Sequence, residues 1–121
     1  MAPKLSYVMK FVADMDRAVA FYRDVLGLPL KFQSPGWSEF LTGETTLALH
    51  AAGPDHPAGQ ARLGLRVPDL QAFYQEMTAK GIQFTMPPTM QFGALLAEFV
   101  DSEGAEVSVS GEKAQGSWPG S

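Results

Sequence analysis

The feature that most constrains the fold is an internal repeat, because the second half of the chain repeats the order of elements found in the first. The tripeptide "VAD", ending at Asp14, corresponds to "VPD", ending at Asp69, and each follows an apolar strand pattern and precedes a helical one. A glycine follows each helical pattern, 13 positions after Asp14 and 12 positions after Asp69. "EFLTG", from Glu39, corresponds to "EFVDSEG", from Glu98. Two copies of one supersecondary unit predict a duplicated fold.

Hydrophobic periodicity assigns the elements of each copy. Apolar residues recur at helical spacing between Asp14 and Gly27 and again between Asp69 and Gly81, which predicts one helix in each half. The predicted strands are Leu5–Val12, Leu28–Ser34, Trp37–Thr42, Thr45–Ala51, Arg62–Val67, Gln83–Met86, Ala94–Val100 and Glu106–Ser110. We therefore predict an α+β fold of two tandem βαβββ modules, which form a curved, cavity-enclosing mixed sheet with the helices on its outer face.

The length of 121 residues predicts a single domain. The first module spans residues 5–51 and the second spans residues 61–110. Residues 52–60 are rich in proline and glycine and are expected to form a linker. Residues 111–121 have no pattern and are expected to be a disordered tail.

Composition excludes several classes of function. The net charge is −4 and no run of Lys or Arg occurs, which argues against nucleic-acid binding. No stretch approaches the roughly 18 apolar residues of a membrane span, and the N-terminus lacks the apolar segment of a secretory signal, so we expect a cytoplasmic protein. The absence of cysteine excludes disulfides, a thiol nucleophile and thiolate-bound metals.

The duplicated pattern, with "FVADMDRAVAFYRDVLGL" in the first half and "DSEGAEVSV" in the second, resembles the vicinal oxygen chelate superfamily. That superfamily includes glyoxalase I, bleomycin-resistance proteins, extradiol dioxygenases and methylmalonyl-CoA epimerases. The resemblance covers residues 5–110 and implies the fold given above. Because one scaffold supports many reactions, the resemblance does not by itself imply an activity.

The resemblance also implies where a metal ion would be bound. Metal-using members take one ligand from each of four strands, and the corresponding positions here are Tyr7, Ala48, Arg62 and Ser108. Those members have His or Gln at the first position, His at the third, and Glu at the other two. Tyrosine is a poor ligand unless deprotonated, alanine cannot ligate, and arginine repels a divalent cation. We therefore expect no metal and no other cofactor.

Strand alternation, anchored on those four positions, predicts the side chains that face a ligand. Phe40 and Phe99 are expected in the core, which turns Glu39 and Glu98 toward the ligand. The segment Pro88–Gly93 is expected to be a loop across the mouth of the cavity. The predicted ligand-binding residues are Tyr7, Met9, Phe11, Trp37, Glu39, His50, Arg62, Phe92, Glu98 and Ser108.

Several of these residues have two interpretations. Arg62 either binds an anionic group or forms an internal ion pair with Glu98 or Glu39. The aromatic side chains either stack on a ligand or only pack. His50 is either a general base or a partly exposed histidine at a strand end. His50 and His56, together with a carboxylate, also give a weak pattern for an unusual zinc site.

Two functions follow. The first is a metal-independent small-molecule-binding protein of the glyoxalase/bleomycin-resistance type, associated with antibiotic resistance, which sequesters an aromatic or charged ligand. The alternative is a lyase, isomerase or hydrolase in which His50, Glu39 or Glu98 moves a proton and Arg62 holds an anion. Under either function we expect a small-molecule ligand and a homodimer, because pairing covers open sheet edges.

Overall fold

The computed structural model describes residues 3–91 and 93–112. The described residues form two compact units. One unit spans residues 6–61, and the other contains residues 3–5, 62–91 and 93–112. The first module consists of β1 (Lys4–Val12), α1 (Met15–Ala20), a π-helical turn (Phe21–Val25), β2 (Leu30–Phe32), β3 (Trp37–Phe40) and β4 (Thr46–Ala51). The second consists of β5 (Ala61–Val67), α2 (Leu70–Ala79), β6 (Phe84–Gln91), β7 (Ala94–Val100) and β8 (Glu106–Gly111).

Both modules have the same strand topology. The strand order is β2-β3-β4-β1 in the first module and β6-β7-β8-β5 in the second. The first strand of each module lies parallel to the last, and the other pairs are antiparallel. Each module is thus a βαβββ unit with a mixed sheet, and the predicted α+β fold class is confirmed.

One helix covers one face of each sheet. Val19 of α1 packs with Phe40 and Leu49 in the core of the first module. Leu70 of α2 packs with Val67, Ala97 and Val109 in the second, and Phe99 packs against that group. Because strand residues alternate between faces, the neighbours of these core residues lie on the face that the helix leaves uncovered.

An aspartate caps the start of each helix, and a glycine follows its end. The carboxylates of Asp14 and Asp69 each accept a hydrogen bond of 3.1 Å from the backbone N–H three residues later. Gly27 and Gly81 have φ of +80° and +94°, the left-handed conformation that ends a helix. The first helix differs from the prediction in one respect, since its last turn is π-helical, with a hydrogen bond from Leu26 N–H to the Phe21 carbonyl.

The prediction for β6 was wrong. The strand was expected to end before Pro87, yet it continues to Gln91, so the segment predicted as a loop over residues 88–93 is mostly strand. Within its module β6 is the outermost strand, and its register with β7 shifts between Met86 and Thr89. An edge position and a register shift are the places where a sheet tolerates proline, which has no N–H to donate.

The segment predicted as a linker is hydrogen-bonded to β1. Gly59 N–H donates to the Phe11 carbonyl (2.8 Å), and Phe11 N–H donates to the Gln60 carbonyl (2.9 Å). Gly53 and His56 form a two-residue bridge within the segment. At the other end, β8 extends through Gly111 into the segment predicted as a tail, whereas residues 113–121 lie outside the described part of the chain. Among the described residues, no helix has the length and apolar character needed to cross a membrane.

Candidate functional site

The candidate site lies on the sheet face that the helix does not cover, and it is described here for each module separately. In the first module this face carries alternate residues of β1, β3 and β4. Register places Met9 beside Ala48, Phe11 beside His50, and Glu39 on the other side of Ala48. The predicted residues of this module on that face are Tyr7, Met9, Phe11, Trp37, Glu39 and His50, and all but His50 are buried.

Five aromatic side chains, which we call the aromatic row, contact one another in this module. The Tyr7 and Trp37 rings are 5.7 Å apart, and Trp37 meets His50 edge-on at 5.8 Å. Phe11 lies 5.3 Å from His50 and stacks on His56 at 4.6 Å with an interplanar angle of 9°. Tyrosine, tryptophan and histidine combine an apolar ring with a polar atom, as small-molecule sites require. The stacking of His56 on Phe11 was not predicted from the sequence.

Glu39 is a buried carboxylate with two partners. The indole Nε1–H of Trp37 donates to Glu39 Oε2 at 2.7 Å, and the Lys31 ammonium lies 3.6 Å from Oε1. The Glu39 side chain is 3% exposed, whereas that of Lys31 is 46% exposed. A buried carboxylate requires such hydrogen bonds and a counter-charge to offset its loss of hydration. The contact with Lys31 was not predicted, because the register between β2 and β3 depends on how the two strands pair.

His50 is fixed in one tautomer when neutral. Its Nδ1 lies 2.7 Å from the Ala51 carbonyl oxygen. A carbonyl oxygen only accepts, so Nδ1 carries the proton and Nε2 holds the free lone pair. The geometry therefore leaves Nε2 as the ring atom able to accept a proton.

In the second module, four side chains form what we call the Arg62 cluster. Arg62 Nη1 donates to Glu98 Oε2 at 3.0 Å and to Ser108 Oγ at 3.4 Å, and Nη2 donates to Glu106. The arginine side chain is 10% exposed, and those of Glu98 and Glu106 are 30% and 34% exposed. One guanidinium between two carboxylates gives the cluster a net charge of −1 with all three groups ionised. The predicted ion pair of Arg62 is thus formed with Glu98, and Glu106 is a second partner.

Glu106 was not among the ligand-binding residues predicted above, although strand alternation places it on their face. It lies two residues before Ser108 on β8 and therefore shares its sheet face. The parallel register of β5 and β8, which pairs Gly64 with Ser108, brings Glu106 level with Arg62. Phe92, the remaining predicted residue, lies outside the described residues.

The residues at the four expected metal-ligand positions do not fit a metal ion. Ala48 is fully buried and offers only a methyl group. Arg62 presents a cation that is already paired with carboxylates, and the Ser108 hydroxyl accepts a hydrogen bond from it. Tyr7 offers a phenol, which is a weak ligand when neutral. In the described part of the chain, no three His, Cys, Asp or Glu residues are grouped as a metal site would require.

Comparison with known proteins identifies one family. The family model described as the Glyoxalase/Bleomycin resistance protein/Dioxygenase superfamily matches residues 4–109. A search of curated proteins gave no match.

Solved structures show the same fold at low identity. A hypothetical protein from Bacillus halodurans C-125 is 20% identical with a TM-score of 0.77, covering 93% of this chain and 96% of its own. Methylmalonyl-CoA epimerase from Mycobacterium tuberculosis is 21% identical with a TM-score of 0.70, and the match covers 89% of this chain and 87% of the epimerase chain. The Mn(II)-bound glyoxalase from Novosphingobium aromaticivorans is 21% identical with a TM-score of 0.68, covering 92% of this chain and 39% of its own. These likenesses concern the fold.

Proposed function

Because the chain belongs to the glyoxalase/bleomycin resistance protein/dioxygenase superfamily, we propose that it binds a small organic molecule without a metal ion. The ligand has an aromatic part or a charged group, and the protein sequesters it rather than converting it. In this role the chain would act as the drug-sequestering members of the superfamily do.

The observation that carries this proposal is the contact between Arg62 and Ser108. These two residues occupy the third and fourth expected ligand positions, and Arg62 Nη1 lies 3.4 Å from Ser108 Oγ. In the second module these two positions therefore carry an organic cation, paired with Glu98 and Glu106, and a hydroxyl. A divalent cation would have to displace a guanidinium from two charge-assisted hydrogen bonds.

The aromatic row supports the ligand class. Tyr7 and Trp37 are rings with a polar atom, and the buried carboxylate of Glu39 lies next to the indole. Such side chains suit an aromatic ring or a charged group through stacking and cation–π contact when the ligand replaces the side-chain contacts that bury them.

Tryptophan fluorescence tests the proposal directly. The chain has two tryptophans, so the Trp118→Phe variant retains only Trp37. We expect aromatic ligands from a panel to quench its emission saturably and equally with and without EDTA. Binding that disappears with EDTA and returns with Zn²⁺ or Mn²⁺, or stoichiometric metal in the purified protein, would overturn the proposal. N-acetyl-tryptophanamide titrated with the same ligands is the control for light absorbed by the ligand itself.

A second candidate function is acid–base catalysis, which the tautomer of His50 favours. Its Nε2 is available as a base because Nδ1 is bound to the Ala51 carbonyl. In this alternative Glu39 or Glu98 serves as the partner acid, and Arg62 holds an anionic group. Turnover of a bound ligand that is lost in His50→Gln and retained in His56→Gln would favour this candidate over sequestration.

We also propose a homodimer. Within their own modules, β2 and β6 are outermost strands with one partner each. A second copy would cover such edges. Native mass spectrometry of the purified protein at micromolar concentration tests this, and a monomer at all concentrations would contradict it. The cytoplasmic location stays a prediction from the sequence.

A further inference from the structure

A groove of about 410 Å³ runs along the side of α1 in the first module, between the helix and the segment of residues 58–59. Its floor is the end of β1, where Lys10 and Val12 alternate with Phe11. Val12 packs into the core under α1, so Lys10 and Val12 point to the helix side, away from the aromatic row. The groove therefore lies on the helix side of β1, and Phe11 is the one residue that it shares with the aromatic row. Its volume falls in the range of small-molecule pockets, roughly 300–1,000 Å³.

The charge in this groove is opposite in sign to that of the chain. Lys10 and Arg17 both line it, and Asp14 is its one acidic residue, which gives a net charge of +1 in a chain of net charge −4. The Lys10 ammonium donates to the Gly59 carbonyl at 2.8 Å, and its other two N–H groups have no carboxylate partner among the described residues. One oxygen of Asp14 already accepts from the Arg17 backbone N–H. Two side-chain cations thus face the groove without an ion pair in the described structure.

An aromatic wall closes one side of the same groove. Asp14, Arg17, Phe21 and Tyr22 follow one stripe of the helical segment, at spacings of three, four and one residues. Phe21 is 49% exposed, although its ring contacts Tyr22 edge-on at 5.3 Å. Phe21 is also the first residue of the π-helical turn, and such turns occur frequently at functional sites. The turn thus leaves a large apolar ring open at the groove.

We propose that this groove binds a small aromatic monocarboxylate. The carboxylate is held by Lys10 and Arg17, and the aromatic ring lies against Phe21. Charge complementarity determines the class of ligand. Two cations and one carboxylate give the groove a net charge of +1, which the single carboxylate of the ligand would neutralise. This inference goes beyond the proposed function and rests on Lys10, Arg17 and Phe21, none of which is part of the candidate site.

The test is a titration with 2-naphthoate, followed by ¹H–¹⁵N NMR, with the neutral 2-naphthamide as the matched ligand. We expect saturable shifts at the amides of Arg17, Ala18 and Gly59 with naphthoate and much weaker ones with naphthamide. Arg17→Gln and Lys10→Gln should each weaken binding about tenfold, the value of one charge-assisted hydrogen bond.

Arg23→Gln is the matched control, because it removes one positive charge from the same helical segment but not from the groove. It should leave naphthoate affinity unchanged. Three results would overturn the proposal that this groove binds a carboxylate. They are the absence of a saturable shift, equal binding of naphthoate and naphthamide, and equal weakening by Arg17→Gln and Arg23→Gln. Shifts confined to the Trp37 indole N–H would also overturn it while leaving the proposed function intact, so the two can fail independently.

Discussion

Arg62 and Ser108 are 46 residues apart in the chain, yet their side chains meet at 3.4 Å. The contact joins the first and last strands of the second module, which lie parallel and adjacent. Each residue occupies a position where a metal ligand is expected, and a hydrogen bond joins the two side chains. The Arg62 cluster thus serves the structure of the module as well as its candidate site.

Arg62→Met should destabilise the protein. It leaves Glu98 and Glu106 together without their shared counter-charge, and we expect a loss of about 1–3 kcal/mol in the free energy of unfolding, since both carboxylates are about one-third exposed. Urea denaturation at pH 7 measures this. The loss should be smaller in a Glu106→Gln background, because glutamine there removes the repulsion with Glu98. A loss of the same size in both backgrounds would contradict the explanation, and Arg62→Lys is the control that keeps the charge.

Glu39→Met should cost more than Glu39→Gln. Methionine leaves the buried Trp37 indole N–H without an acceptor, whereas glutamine keeps one. We expect the methionine variant to be less stable than the glutamine variant by about 1–3 kcal/mol in urea denaturation. Equal stability of the two variants would show that the indole hydrogen bond contributes nothing.

The neutral tautomer of His50 can be observed by NMR. Long-range ¹H–¹⁵N spectra above pH 8 should show a protonated Nδ1 and an unprotonated Nε2, because the Ala51 carbonyl accepts from Nδ1. His50→Gln identifies the signals. A neutral ring protonated at Nε2 would exclude the Nδ1 hydrogen bond and, with it, the basis of the catalytic alternative.

Gly27→Ala should destabilise the first module through backbone strain. Gly27 has φ of +80°, and a Cβ there would meet no atom within 4 Å, so strain is the only cost. The left-handed conformation costs an L-residue about 1–2 kcal/mol. Gly36→Ala is the matched control, since Gly36 also has open space but lacks a positive φ. Thermal unfolding of both variants checks the difference, and equal melting temperatures would refute it.

Much of the fold follows from local pattern. The repeat, the caps at Asp14 and Asp69 and the strand alternation depend on neighbouring residues, so the sequence predicts the modules and their faces. The π-helical turn also has a counterpart in the sequence. From its aspartate cap to its glycine, the first helical segment is one residue longer than the second, and the π-helical turn is where it departs from a regular α-helix.

The sequence by itself determined the two βαβββ units and the identity of the residues at the expected ligand positions, because strand and helix periods and turn residues act over a few positions. Only the tertiary structure decided which distant residues contact one another. Lys31 reaches Glu39, Glu106 joins Arg62, and residues 59–60 bond to Phe11 because of register and chain packing between distant segments. The strand through Pro87 likewise depends on its edge position. Such pairings are set by which strands become neighbours, and no local pattern encodes that.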